Sequence, residues 1–303
     1  MGAVLTVVLG LSGALVYGFA DFLGGLASRR VRAVTVAAVA AAVGIVPLLL
    51  GLVLVGGAFT PAAVLWGAVG GASGGVGVLL LYRALAIGPM SVLSPLTAVF
   101  AAVVPVLVAV ARGTALSALA VAALVVAVVA VVLVAAVRDS SGARVTLGGL
   151  VTAAVAGCGF GGIVLAYDMT PSDSGVAPLI AARVLQALLL GVAALVSGLV
   201  ARSRTASGGP DAGNGERVRH GSVALLLTVL ACGVLDALAN VFIQAGLHAS
   251  DDPTTLPVIS VLDALYPIGT VVLAGVVLRE RLTAVQWTGI VLAVAASVGL
   301  ALA

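Results

Sequence analysis

The chain predicts an all-α integral membrane protein of ten transmembrane helices, arranged as two inverted five-helix repeats. Three observations predict it. The 303 residues are 62% hydrophobic with a mean hydropathy of +1.32; ten largely uncharged stretches rich in Gly, Ala and Val follow one another along the chain; and a similar turn sequence recurs ahead of the fifth and the tenth stretch. A spanning helix needs about 20 apolar residues to cross roughly 30 Å of hydrocarbon. Ten of them use about two-thirds of the chain and leave no soluble domain. Closed barrels, the other spanning solution, alternate polar and apolar residues, whereas Ala118 to Val137 is unbroken apolar sequence.

The spans are expected near residues 4–26, 33–56, 62–82, 90–111, 115–137, 147–167, 175–200, 222–247, 254–278 and 284–302. The first has no basic leader and carries Asp21 near its far end, so it reads as a retained helix and not a secretory signal. Residues 1–137 make the first repeat, 138–146 a polar linker, and 147–303 the second repeat. Within the second repeat, 202–221 holds Gly, Ser and charges with little apolar surface to offset the entropy of ordering, and is expected to be a disordered cytoplasmic loop. Cys158 and Cys232 each fall inside a span as small buried residues, far from a disulfide framework.

Two echoes support duplication. Gly113-Thr114-Ala115-Leu116-Ser117 precedes the fifth span and Arg279-Glu280-Arg281-Leu282-Thr283 the tenth, while Tyr17-Gly18-Phe19-Ala20 in the first span matches Cys158-Gly159-Phe160-Gly161 in the sixth. Because five is odd, a second copy enters the bilayer from the opposite face. Inverted repeats of this kind place a substrate site near the midplane, where the halves meet.

The basic composition, with a pI of 9.3, does not point to nucleic acid. There is no lysine, and the arginines are scattered through short loops. Twelve of them (Arg29, Arg30, Arg32, Arg83, Arg138, Arg144, Arg202, Arg204, Arg217, Arg219, Arg279 and Arg281) follow odd-numbered spans, against Arg112 alone after an even-numbered one. Positive residues in short loops stay cytoplasmic, so both termini are expected outside the cytoplasm of a bacterial-type plasma membrane.

Ionisable residues inside the bilayer cost about 2.5–3.5 kcal/mol each on the lenient insertion scale, which makes them functional suspects. Asp236 lies deep in the eighth span, with Asn240 and Gln244 following at intervals of four on one helical face. This stripe either walls an aqueous cavity or hydrogen-bonds the helix to a neighbour. Asp263 in the ninth span is followed by Tyr266 and Pro267, an ionisable group beside a helix break. Pro95 and Pro105 break the fourth span with no charge beside them. Asp21, with Tyr17 one turn deeper, is expected near the cytoplasmic mouth, either carrying a proton or substrate or pairing with Arg83 or a loop arginine. Arg183 and Gln186 are the strong polar suspects of the seventh span. Arg183 either neutralises an aspartate or binds a substrate carboxylate in bidentate fashion. Arg83 is expected to snorkel, Trp66 and Trp287 to anchor at the interface, and Gly67, Gly71 and Gly75 to let helices approach closely.

Leu265-Tyr266-Pro267, Arg279-Glu280-Arg281-Leu282-Thr283 and Gly289 together resemble the last two helices of the drug/metabolite transporter superfamily, in its two-repeat EamA type. Ser94-Pro95, Pro105, the Gly113 to Ser117 turn and Asp21-Phe22-Leu23-Gly24-Gly25 extend the resemblance over the whole chain. Thr114 stands where the family usually has Glu, and Arg279 where it usually has Gly. The resemblance implies a secondary transporter, in the exporting direction, of small metabolites, amino acids or drug-like compounds by alternating access. Protonation of one aspartate is expected to couple to substrate movement; lipid as surroundings, a monomer or weak homodimer, and no cofactor, metal or nucleic acid are expected as well. In the distantly related small multidrug transporters one carboxylate of the first helix handles both proton and substrate; Asp21 resembles it by element, not by motif. The family's cytoplasmic termini oppose the arginine count, and the twelve-to-one bias outweighs them. ATP is excluded on residues alone, since a phosphate loop needs a Gly-Lys pair and no lysine exists.

Two other functions compete with this reading. A lipid or lipid-linked sugar flippase on the same fold needs a laterally open polar groove. An intramembrane aspartyl protease would pair Tyr167-Asp168 with Asp236, but Asp168 ends its span whereas Asp236 is central. His220 and His248 in opposite loops, with no His-Glu-x-x-His, give no zinc site and no enzyme is expected.

Overall fold

The computed structural model describes residues 2–87, 90–135, 147–206 and 223–270, with isolated stretches between 273 and 296. The described residues are helical apart from short connections, without a strand. Nine helices are bounded among them: α1 (Gly2–Ser28), α2 (Ala33–Val55), α3 (Pro61–Ile87), α4 (Met90–Ala111), α5 (Ala118–Ala135), α6 (Leu147–Asp168), α7 (Ala177–Ala206), α8 (Val223–Leu247) and α9 (Thr255–Asp263). The described residues from 284 to 296 are also helical. Six helices (α1, α2, α3, α6, α7 and α8) are long and apolar enough to cross a bilayer. Val53, Leu54, Leu195 and Leu147 are among many large apolar side chains left exposed on the outside. A water-soluble protein seldom shows so continuous an apolar surface; against lipid tails it is the favourable one.

Successive helices run in alternating directions, and their connections gather on two faces. On one face, here called the pinned face, the turn after α2 hydrogen-bonds to the turn before α7 through Ala58 N to Ser174 O (3.2 Å) and Val176 N to Gly56 O (3.4 Å). Arg112 after α4 pairs with Asp168 at the end of α6 at 3.3 Å, and Thr170 meets His248 after α8 at 3.1 Å. Gly2 of α1 lies against Ala249 and Ser250 on this same face. On the other face, Arg32 after α1 approaches Gly198 near the end of α7.

Inside the bundle α1 packs on α8 and α3 on α6; α2 packs on α7 and α8, α3 also on α7, and α4 on α6 and α9. Small residues set these crossings. A Cβ on Gly67 or Gly71 of α3 would run into the backbone of Pro178 or Ala182 of α7, and one on Gly233 of α8 into the Ala40 carbonyl of α2. Close backbone approach supplies the dispersion contact that replaces the hydrophobic drive lost in lipid. Gly75 only touches Gln186 at ordinary distance.

The Gly113 to Ser117 turn has a definite job. Gly113 adopts φ 93°, Gly113 N donates to Val110 O (2.9 Å) and Thr114 N to Ala109 O (3.1 Å), a Schellman stop for α4. Ser117 then caps α5 by accepting from Ala120 N at 3.0 Å.

Several expected boundaries are corrected. α3 continues to Ile87 and α7 to Ala206, so residues 202–206, expected in a disordered loop, are helical; Ala and Arg are good helix formers, and arginines favour a helix C-terminus. The rest of that loop, the 138–146 linker, residues 279–282 and the side chain of Pro95 lie outside the described residues. The ninth span, expected as one helix, breaks after Asp263: residues 264–266 form a turn and helix resumes at Pro267.

Candidate functional site

Pro267 explains the break. Lacking an N–H, it cannot bond the carbonyl four residues back, which is that of Asp263. Tyr266 N takes its place, donating to Asp263 O at 3.0 Å. The segment is held against α1, where Thr270 Oγ1 donates to Gly18 O at 3.0 Å and a Cβ on Gly18 would meet the Tyr266 carbonyl. Asp263 is thereby fixed facing α1.

Two small cavities lie between the helices. Arg183, Gln186, Asp236, Asn240, Tyr167 and Tyr17 supply the polar groups of the first. Arg183 and Asp236 form an ion pair buried between α7 and α8, and Arg183 also donates to Gln186 Oε1 at 2.7 Å. Glycines 70, 71 and 74 of α3 form its floor. Of the two roles open to Arg183, it takes here the neutralisation of Asp236. The volume is about 10 Å³, close to the least an enclosed water requires.

Tyr17, Asp21, Asp263 and Tyr266 line the second cavity, of about 20 Å³. Tyr17, Phe160 and Ile163 border both cavities and separate them. The ring of Phe160 meets that of Tyr266 edge to face, centroids 6.4 Å apart. Asp263 is 8% exposed and its Oδ1 has no hydrogen-bond partner. Asp21 is 7% exposed, and among the described residues no ion pair reaches it.

Several expectations need correction. Asp21 is not at a mouth, and among the described residues it pairs with neither Arg83 nor a loop arginine; α1 runs 27 residues, about 40 Å at 1.5 Å per residue, so a residue two turns from its end is still inside. The stripe on α8 divides. Asp236 and Asn240 border the first cavity, with Asn240 Nδ2 donating to Asp236 O at 2.8 Å, but Gln244 points to the pinned face and donates to Thr170 Oγ1 at 3.4 Å. There it joins His248, whose pKa is lowered by burial against a smaller opposing pull from Asp168. Pro105 and Pro267 are buried in helix contacts and border neither cavity. Arg83 and Trp287 are exposed and Trp66 half-buried; Cys232 is buried as expected, whereas Cys158, expected to be buried, is exposed on α6. Asp168 and Asp236 are held by different arginines, Arg112 and Arg183, which removes the geometry a two-aspartate protease site requires.

Phe160 and Ile163 of α6 were not foreseen as site residues, because the stretch Ile163 to Ala166 and its surroundings read as apolar, and Tyr167 was weighed only beside Asp168 in the protease reading. The one signal was the echo of Tyr17-Gly18-Phe19 in Cys158-Gly159-Phe160. Outside the cavities, the hydroxyl of Tyr82 meets Cys232 Sγ at 3.2 Å beside Gly24.

No protein-family model and no curated protein sequence matches the chain. Its fold is known, however. A solved structure described only as "Crystal structure of protein" superposes with a TM-score of 0.70 at 15% identity, over 97% of this chain and 95% of that one.

Proposed function

We propose that the chain is a secondary transporter of small polar solutes, built from ten transmembrane helices as two inverted repeats of the EamA type. The packing of the helices supports the repeat. Adding five to each helix number turns the α1–α8 contact into the α6–α3 contact, α2–α8 into α7–α3, and α4–α6 into α9–α1, and all of these are real contacts. Orientation agrees, since α1 begins on the face where α6 ends. The lone exception to the arginine bias, Arg112, is paired with Asp168, which strengthens the assignment of the pinned face and both termini to the outside of a plasma membrane.

The observation that carries the transport reading is the charged cavity lined by α1, α3, α6, α7 and α8, which brings together helices of both halves. Burying an ion pair in an apolar bundle is costly, and a hydrophobic pair would hold the helices at least as well. At about 10 Å³ the cavity admits no solute until the halves move, as alternating access requires. A solute bearing both charges would exchange its carboxylate and ammonium for the internal pair Arg183–Asp236. No ATP site or enzyme chemistry is assigned.

The test is uptake into proteoliposomes of a panel of amino acids, nucleosides and organic cations, with native protein and Asp236→Asn. Transport of one class, lost in the variant, is expected. If no solute moves while a labelled lipid exchanges leaflets at a protein-dependent rate, the flippase reading replaces this one.

A further inference from the structure

We propose that Asp21 and Asp263 form a dicarboxylate site that holds one small monovalent cation, a proton or a sodium ion, in a cavity separate from the Arg183–Asp236 cavity. The inference deepens the transporter reading by naming a site for the driving ion, and it rests on charge and enclosure, not on that reading alone. Asp21 of α1 and Asp263 at the end of α9 both border the second cavity, each more than nine-tenths buried. Asp263 Oδ1 is enclosed with no hydrogen-bond partner. No arginine or histidine borders this cavity, and the arginine of the neighbouring one is engaged by Asp236. Two carboxylates there carry up to two negative charges with no cation among the described residues to meet them, in surroundings where even one is expensive. A cation entering the cavity removes that cost, whether it joins a carboxylate as a proton or bridges both as a metal ion.

Size and ligands restrict the choice. A space of about 20 Å³ holds one or two water-sized ligands, which excludes organic cations. The oxygen-bearing side chains that line it are the two aspartates, Tyr17 and Tyr266, and carboxylates are hard ligands suited to sodium or to a shared proton. The titratable groups around the pair are few. Tyr17 and Tyr266 face it directly; Tyr167, Asp236 and Arg183 lie across the wall formed by Phe160 and Ile163; Tyr82 and Cys232 lie beyond Asp21 on α3 and α8. Helices α4 and α5 contribute no titratable residue. Tyr17 borders both cavities, so filling one changes the surroundings of the other through a single side chain.

The experiment uses full-length purified protein without any solute, so its outcome is independent of whether a transported substrate has been found. The unfolding midpoint is followed as sodium replaces N-methylglucamine at alkaline pH, and separately as pH is lowered without sodium. A ligand that binds only the folded state raises the midpoint. The expected result is a rise of several degrees with sodium, or with acidification alone, and that pattern identifies the cation. Asp263→Asn is expected to raise the midpoint in the cation-free alkaline state, by removing an unmatched buried charge, and to abolish the response; Asp21→Asn abolishes it too, whereas Asp252→Asn, exposed on the pinned face, keeps it. Should an Asn variant fail to fold, the stoichiometry of sodium binding or proton uptake on the native chain decides, one per chain being expected. A native chain with no response to either cation, or Asn variants that respond as the native chain does, overturns the proposal.

Discussion

Arg183 and Asp236 illustrate how one residue's cost depends on another. With both present the charges meet inside the bundle; with one removed, the survivor is a buried charge without a partner, which typically costs about 3–5 kcal/mol. Arg183→Met and Asp236→Leu should each destabilise by about that much, while the double variant returns to within about 1 kcal/mol of the native chain or exceeds it. Denaturation of all four forms in one detergent measures the coupling, and simple additivity would show that the two side chains do not interact. Transport should be absent from all three variants, which separates the function of the pair from its effect on stability. That Asp236 would matter was legible from insertion cost alone, because a carboxylate in the middle of Val223–Leu247 has no other excuse. Its partner was not legible: Arg183 was equally placed to serve Asp263 or a substrate, and only the crossing of α7 near α2 and α8, with Gly44 close to the Arg183 side chain, decides between them. Gln244 shares the face of Asp236 by sequence spacing, yet two turns of helix carry it about 12 Å along the axis, out of the cavity and into the cluster around His248.

Helix elements here are held by glycine as much as by apolar bulk. Gly71 of α3 sits where an added Cβ would strike the backbone of Ala182, and no rotamer change can relieve contact with a backbone. Gly71→Leu should therefore force α3 and α7 apart, at about 1–3 kcal/mol or more, and disturb the floor of the first cavity. Gly191 of the same α7 has nothing within 4 Å of its added Cβ, so Gly191→Ala should lie within about 1 kcal/mol of the native chain, on the favourable side. Unfolding midpoints of the two variants test this, and equal effects would mean that the α3–α7 crossing is looser than described. Spans such as α2 and α6 were legible because length and hydropathy determine them. Their ends were not, since α7 continues into polar sequence that helix propensity tolerates without burial. The break at Asp263 was legible as a proline signal but not as a turn: whether Pro267 kinks or interrupts depends on Gly18, whose bare backbone lets the 266–270 segment come close. Phe160 and Ile163 carried no signal, because an apolar residue facing a cavity and one facing lipid look alike in sequence.

At the scale of the whole molecule the decisive fact is that neither cavity has room for a solute, while one face is tied shut by contacts between connections far apart in sequence. Gly56 to Ala58 and Ser174 to Val176 run side by side, joined by the backbone bonds Ala58 N to Ser174 O and Val176 N to Gly56 O. Arg112–Asp168 and the Thr170–His248 contact add two further ties on that face. These ties are weak, since an exposed ion pair is worth about 1 kcal/mol or less. If the halves rock about the cavities, separation of these connections is the step that admits or releases solute on this side. A covalent bond across them should then stop transport without touching either cavity. Ala58→Cys with Ser174→Cys, in a chain whose exposed Cys158 is replaced by serine, places two thiols on backbones that are already hydrogen-bonded neighbours, within the separation a disulfide spans. Oxidation should abolish uptake into proteoliposomes and reductant should restore it, whereas each single cysteine should transport at the same rate under both conditions. Cross-linked protein that still transports at full rate would mean that this face stays closed throughout the cycle, and that solute reaches the Arg183–Asp236 cavity by way of the opposite face or laterally from the bilayer.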